Sequence, residues 1–207
     1  MIYVTAYKPE AKGKVKIQLD NGMSLTAYRS ELRQFHMEEG AGITEEDYHK
    51  LVYEVIAKRA KKRAMHLLEQ MDRTEYQLRT KLKSGGYPEV CIDAAIEYVT
   101  SFHYLDDCRY AASYVRYRQE RMSRRQLLQK LAAKGITKEV AEQALEAEYD
   151  ASERQQIAKL LQKRQFVRDK ADETEFRRTY QYLLRRGFLS SEILSVMKSA
   201  AYQQPDY

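Results

Sequence analysis

The chain has 207 residues, enough for one or two ordinary domains, with a net charge of +6. Hydrophobic residues make up 43%, which permits a core, and charged residues 32%, a balance suited to a thin array with much surface. The apolar runs are too short for a membrane span, the N-terminal residues lack a signal pattern, and Cys91 and Cys108 lack metal or CxxC spacing, so a protein of the cytoplasm with free thiols is expected.

Residues 2–4, 15–19 and 23–28 are rich in β-branched or aromatic types. Val15, Ile17 and Leu19 alternate with polar neighbours, the period of a half-buried strand. Asn21-Gly22 predicts a type I′ hairpin turn. Together these give a small three-stranded β-meander leaning on the helix that follows. Ser30 is placed to cap a short helix ending near Gly40, and Thr44 to open another whose first turn holds Glu45, Glu46 and Asp47. Leu51, Val52, Val55 and Ile56 supply its apolar stripe. Lys58-Arg59-Ala60-Lys61-Lys62-Arg63 then offers five basic residues in six, either a phosphate contact or a solvated helix face.

Glycine spacing organises the rest. Aligned on Gly86, Gly135 and Gly187, the fourth residue upstream is always leucine: Leu82, Leu131 and Leu183. The next residue downstream is Tyr87, Ile136 or Phe188. The sixth is Ile92, Ala141 or Ile193, and the tenth is Ile96, Leu145 or Met197. This is an internal repeat of 49 and 52 residues, the scale of helical arrays. Leucine packs one helix, glycine closes it in the left-handed conformation, and the downstream apolar positions lie on one face of the next helix. Thr74-x-x-Gln77 and Ser123-x-x-Gln126 read as capping boxes. The third copy has a longer first loop, 165–172, and lacks that box. Each copy is thus three helices: 58–72, 75–84 and 89–102; 107–121, 124–134 and 138–149; 153–166, 175–186 and 191–201. One copy buries little, so stacked copies are expected to share a continuous core. The fold class is mainly α: three tandem helix-turn-helix-like repeats in an elongated curved array, with boundaries at 1–57, 58–105, 106–151 and 152–207.

No catalytic constellation, nucleotide cradle or histidine metal spacing is present, so neither an enzyme nor a cofactor is expected. Asp106-Asp107 stands where an N-cap and first turn belong. Between Arg109 and Lys134 there are eight basic residues and one acid, a balance of +7, so the positive charge is largely concentrated in the second copy. Arg109, Arg116, Arg118, Arg121, Arg124, Arg125, Lys130 and Lys134 are the candidate contacts for a polyanion or an acidic protein surface. Tyr110, Tyr114 and Tyr117 recur at helical spacing, either as a strip for stacking on bases or as packing against neighbouring helices. Ala111 and Val115 mark the buried face; Arg109 and Arg116 point away from it, with Arg118 at its rim.

The run Tyr104-Leu105-Asp106-Asp107, then Tyr110-Ala111, Val115 and Arg118, then Leu131 to Gly135-Ile136, resembles the RecX family of recombination regulators, over about residues 60–200. The resemblance implies tandem three-helix modules and a partner, the strand-exchange protein RecA assembled on DNA. It implies docking in the filament groove and damping of ATPase, strand-exchange and co-protease activities, a role in homologous recombination, DNA repair and the SOS response. Leu105, Asp106, Asp107, Tyr110, Ala111, Leu131, Gly135 and Ile136 carry the motif and are read as structural. Two departures stand out. Gln119-Glu120-Arg121-Met122 replaces a glycine common in the family, which suggests a stiffer joint, and the segment 1–28 is an extension that only part of the family has. A monomer is expected. The alternative is a protein that coats single- or double-stranded DNA directly, which steep salt dependence without RecA would reveal.

Overall fold

The computed structural model describes residues 1–199. The chain forms two compact units, Met1–Asp106 and the part beginning at Asp107. The first opens with β1 (Ile2–Pro9), β2 (Lys14–Leu19) and β3 (Ser24–Tyr28), and a fourth strand, β4 (Gly42–Ile43), completes an antiparallel sheet of order β3-β2-β1-β4. The expected three-stranded meander is therefore corrected to four strands. A two-residue strand has no periodicity to read, and β4 is recruited only by pairing with Ile2 and Tyr3. The hairpin turn is corrected too. Gly22 is left-handed at φ 82° while Asn21 is not, and Gly22 N–H donates to the Leu19 carbonyl. That is a three-residue loop closed by a glycine bulge instead of a type I′ turn.

Helix α1 spans Arg29–Gln34 and does not start from Ser30 or reach Gly40. Glu31 accepts the Tyr28 N–H at 2.7 Å, satisfying a donor that a cap at Ser30 would have left open. Thr44 does cap α2 (Glu45–His49), its hydroxyl accepting the Asp47 N–H at 3.1 Å. The chain continues through wider π-helical turns, Lys50–Ile56, into α3 (Ala57–Gln70); at their end Ala57 N–H reaches back five residues to the Val52 carbonyl. Helices α4 (Glu75–Ser84) and α5 (Glu89–Ser101) complete the first module.

The second unit holds two more modules. These are α6 (Asp107–Arg118), α7 (Arg124–Ala132) and α8 (Lys138–Glu148), then α9 (Glu153–Lys163), α10 (Glu173–Arg185) and α11 (Ser190–Lys198). The expected end of the last helix at 201 lies outside the described residues. In every module the first and third helices pack together. Leu82, Leu131 and Leu183 are fully buried, and Gly86, Gly135 and Gly187 all turn at φ between 78° and 85°. Only glycine adopts that corner without strain.

Capping differs among the copies. Thr74 and Gln77 form both halves of the box. Ser123 forms only the first half, accepting the Gln126 N–H, and its hydroxyl donates to the Arg186 carbonyl at 2.7 Å. In the third copy the cap is Asp172, three residues upstream of the aligned position, so α10 has 13 residues against 10 and 9 for α4 and α7.

The expectation of a continuous core is corrected. The first module shares its core with the sheet, from Val4 and Ile17 through Leu51 and Leu78 to Ile96 and Leu105. The second is built on Ala111, Val115, Leu127, Leu131 and Leu145, the third on Ile157, Leu161, Leu183, Phe188 and Met197, and these two clusters are separate. Hydrogen bonds join the second and third modules. Besides Ser123, the Gln119 carbonyl accepts the Gln156 amide, and Glu153 accepts Arg124 N–H; the Gln119 side chain accepts Asp150 N–H within the second module. Within the first unit, Gly86 sits so close to Thr26 that an added Cβ would lie 2.1 Å from the threonine hydroxyl. Arg59, one of the five basic residues of the 58–63 run, is not solvated there. It pairs with Glu31, donates to the Thr26 carbonyl at 2.6 Å, and lies over the rings of Tyr28 and Tyr87.

Candidate functional site

The second module presents its cations in groups. On α6, Arg109 and Arg116 are seven residues apart and share an exposed outer face. Arg116 makes a forked contact with Glu148 of α8, at 2.6 and 2.8 Å. The carboxylate, hydrogen-bonded by the guanidinium, titrates below the ordinary glutamate value, and the arginine is held above its own. Arg116 is thus half of an ion pair with little net field of its own, which the sequence could not show because Glu148 is 32 residues away.

Arg118 lies on a different side of α6, beside the stacked rings of Tyr110 and Tyr114, whose centroids are 6.3 Å apart. Lys134, from the end of the second module's corner, places its ammonium 5.6 and 5.3 Å from those rings, and Arg118 is 6.0 Å from Tyr114. Tyr110 and Tyr114 pack against the module core, as the packing reading expects, whereas Tyr117 is 79% exposed. Arg121, Arg124 and Arg125 are exposed around the start of α7, where the third module's Gly187 corner approaches Ser123 and Arg125. Lys130 is exposed further along α7. The eight predicted residues therefore occupy several surfaces of one module. Among the described residues, no carboxylate lies within ion-pair distance of Arg118, Arg121, Arg125 or Lys130.

The residues of the family motif sit mainly inside. Leu105, Ala111, Leu131 and Ile136 are buried, Tyr110 is half-buried, Gly135 makes the corner, and Asp107 opens α6 directly after Asp106.

The sequence reading placed the positive charge largely in the second module; this is corrected. From Arg154 to Arg186 there are ten basic residues and four acids. Tyr182, on α10, is flanked by Arg164 at 4.5 Å and Arg186 at 4.8 Å. Arg177, Arg178 and Arg185 line an adjoining depression on α10. The signal that could have found this region was the pair of arginine doublets, 177–178 and 185–186, two helical turns apart on one helix.

Three family models match the chain in order: "RecX, first three-helix domain" over residues 60–98, "RecX, second three-helix domain" over 106–145, and "RecX, third three-helix domain" over 152–197. The chain is 30% identical to Regulatory protein RecX of Caldanaerobacter subterraneus subsp. tengcongensis, over 91% of this chain and 94% of that one. It is 35% identical to Regulatory protein RecX of Vibrio parahaemolyticus, over 65% of this chain and 86% of that one. A crystal structure of regulatory protein RecX shares the fold, with a TM-score of 0.65 and 24% identity over 96% of this chain and all of that one.

Proposed function

Because the chain belongs to the RecX family of regulatory proteins, we propose that it regulates RecA by binding in the groove of RecA–DNA filaments and damping their ATPase, strand-exchange and co-protease activities. In this reading the three modules, with boundaries at 58–105, 106–151 and 152–207 after the segment 1–57, act as a monomer across neighbouring filament subunits. No chemistry is performed. Tighter binding to one filament state than to another shifts the population between them, which is sufficient to change assembly or turnover.

The observation that carries the reading is the family match together with the exposed cations Arg118, Arg121, Arg125 and Lys130, which have no carboxylate partner among the described residues. Arg109, Arg124 and Lys134 join them as contacts. Arg116 contributes less, since Glu148 offsets it.

The test is a titration into RecA hydrolysing ATP on single-stranded DNA, with filament length followed in parallel. The wild type lowers ATP turnover. The double variant Arg118→Glu, Arg125→Glu keeps its helical circular dichroism and loses at least ten-fold in inhibitory potency, about 1.4 kcal/mol of binding. Unchanged turnover and filament length at saturation with the wild type would sink the proposal.

A further inference from the structure

The joint between the second and third modules encloses a pocket of about 440 Å³. Arg121 contributes from the middle of the α6–α7 turn, Lys159 and Lys163 from α9, Tyr182 from α10 and Arg186 from the residue that ends it. Glu120 also lines it and lies 3.6 Å from Lys159, with both side chains exposed, so four cations face one acid. The floor includes Gln156, only 5% exposed. Its amide nitrogen donates to the Gln119 carbonyl at 2.7 Å and to the Tyr149 hydroxyl at 3.3 Å. Tyr149 OH in turn faces Glu153 at 3.4 Å, and burial pushes its phenol up to about 12. Those bonds fix the amide's orientation, because a flipped amide would turn its oxygen against the Gln119 carbonyl. The Gln156 carbonyl oxygen is left buried with no hydrogen-bond partner among the described residues.

Buried acceptors are normally satisfied, and leaving one open costs free energy. A simple anion could pair with the four cations but has little to offer the amide oxygen. The two demands are met together by a ligand that carries a phosphate and, a few ångströms away, an N–H or O–H donor. A nucleotide has that constitution, and the pocket volume accommodates one unit. The cations also continue beyond the pocket, through Tyr182 to Arg164 and the α10 arginines, further than one phosphate requires. Positive groups leading out of a single-residue pocket fit successive phosphates of a strand.

We propose that the pocket between the second and third modules binds one nucleotide of a single-stranded nucleic acid, with its phosphate on Arg121, Lys159, Lys163 and Arg186 and a base donor on the Gln156 carbonyl oxygen. The site shares Arg121 with the proposed filament contacts, draws its other cations from the third module, and works on naked nucleic acid. Its failure and the failure of the filament reading are therefore separable, since no RecA enters the test.

Fluorescence anisotropy of a labelled 20-nucleotide oligo(dA), titrated with the full chain, measures the site. The variant Lys159→Ala, Lys163→Ala, both on the exposed side of α9, weakens binding at least ten-fold and lowers the salt slope by about 0.7, the share of one phosphate contact. An abasic strand of the same length carries the same charge and no base donor. It binds at least ten-fold more weakly than oligo(dA). Equal affinity for the two strands would remove the role of Gln156 and overturn the proposal, as would an unchanged affinity and salt slope in the lysine variant. Free dAMP, used as competitor, displaces the strand only at millimolar concentration; tighter binding of dAMP than of the strand would make the ligand a free nucleotide and overturn the strand reading.

Discussion

The joint at the first module and the joint between the second and third are built from the same corner and held by different forces. In both, a left-handed glycine, Gly86 or Gly187, is pressed against a hydroxyl residue, Thr26 or Ser123. Around Gly86 the contact continues into a single apolar core shared by sheet and helices, with Arg59 fixed between two tyrosines. Around Gly187 the apolar clusters stop short of each other, and hydrogen bonds through Ser123, Gln119 and Gln156 close the gap. A repeat thus fixes the turn but not what glues it to its neighbour. The apolar joint is filled by a shared core; the polar joint leaves room for cations and an open acceptor.

The contrast can be broken most severely at Gly86. Gly86→Ala combines a φ of +78° with a Cβ 2.1 Å from the Thr26 hydroxyl, so the first unit loses about 3 kcal/mol or more, read by urea unfolding and by hydrogen exchange in residues 1–106. Adding Thr26→Ala recovers the steric part and leaves the backbone strain. Arg59→Ala comes next. It strands Glu31 in a half-buried site and removes the bond to Thr26, at a cost of about 2–3 kcal/mol confined to the same unit. At the polar joint the effects are smaller. Gly187→Ala meets Ser123 at 2.9 Å, and flexible side chains can give way, so the cost is about 1–2 kcal/mol. Ser123→Ala loses a cap and one inter-module bond, about 1 kcal/mol, with faster exchange at the joint but intact module cores.

The smallest effect is zero near neutral pH. Cys91 is buried, its thiol donating to the Val52 carbonyl, and burial pushes its pKa up to about 11 from 9.0. A raised folded-state pKa means its contribution is intact below 9 and is lost as pH rises from 9 through 11. Comparison of wild type with Cys91→Ala over that range isolates it. At pH 8 the exposed Cys108 reacts with a thiol reagent at once, and Cys91 only at the rate the first unit opens.

What was legible in the sequence was local. Leu82, Leu131 and Leu183 and the three corner glycines announce themselves by spacing, because a helix end and its cap are decided within a few residues. Thr44, Thr74 and Ser123 cap for the same reason. What escaped was settled across the chain. Gly42–Ile43 becomes a strand only beside Ile2 and Tyr3, Glu148 offsets Arg116 from another helix, and the two separate cores depend on how modules meet. Of the site, the identity of the cations in the second module was legible, and their grouping was not. The cations of the third module were passed over because acids elsewhere cancel them in the total.

The π-helical stretch Lys50–Ile56 has a consequence for chain length. It holds more residues per turn than an α-helix does, and Leu51, Val52 and Ile56 all face the core from it. Deleting one residue there would let the ladder relax into an unbroken α-helix, while turning everything before it by about 100° about the axis. The sheet would then meet the first module with the wrong side. Insertions and deletions should be rarer across these seven positions than their unremarkable amino-acid types suggest.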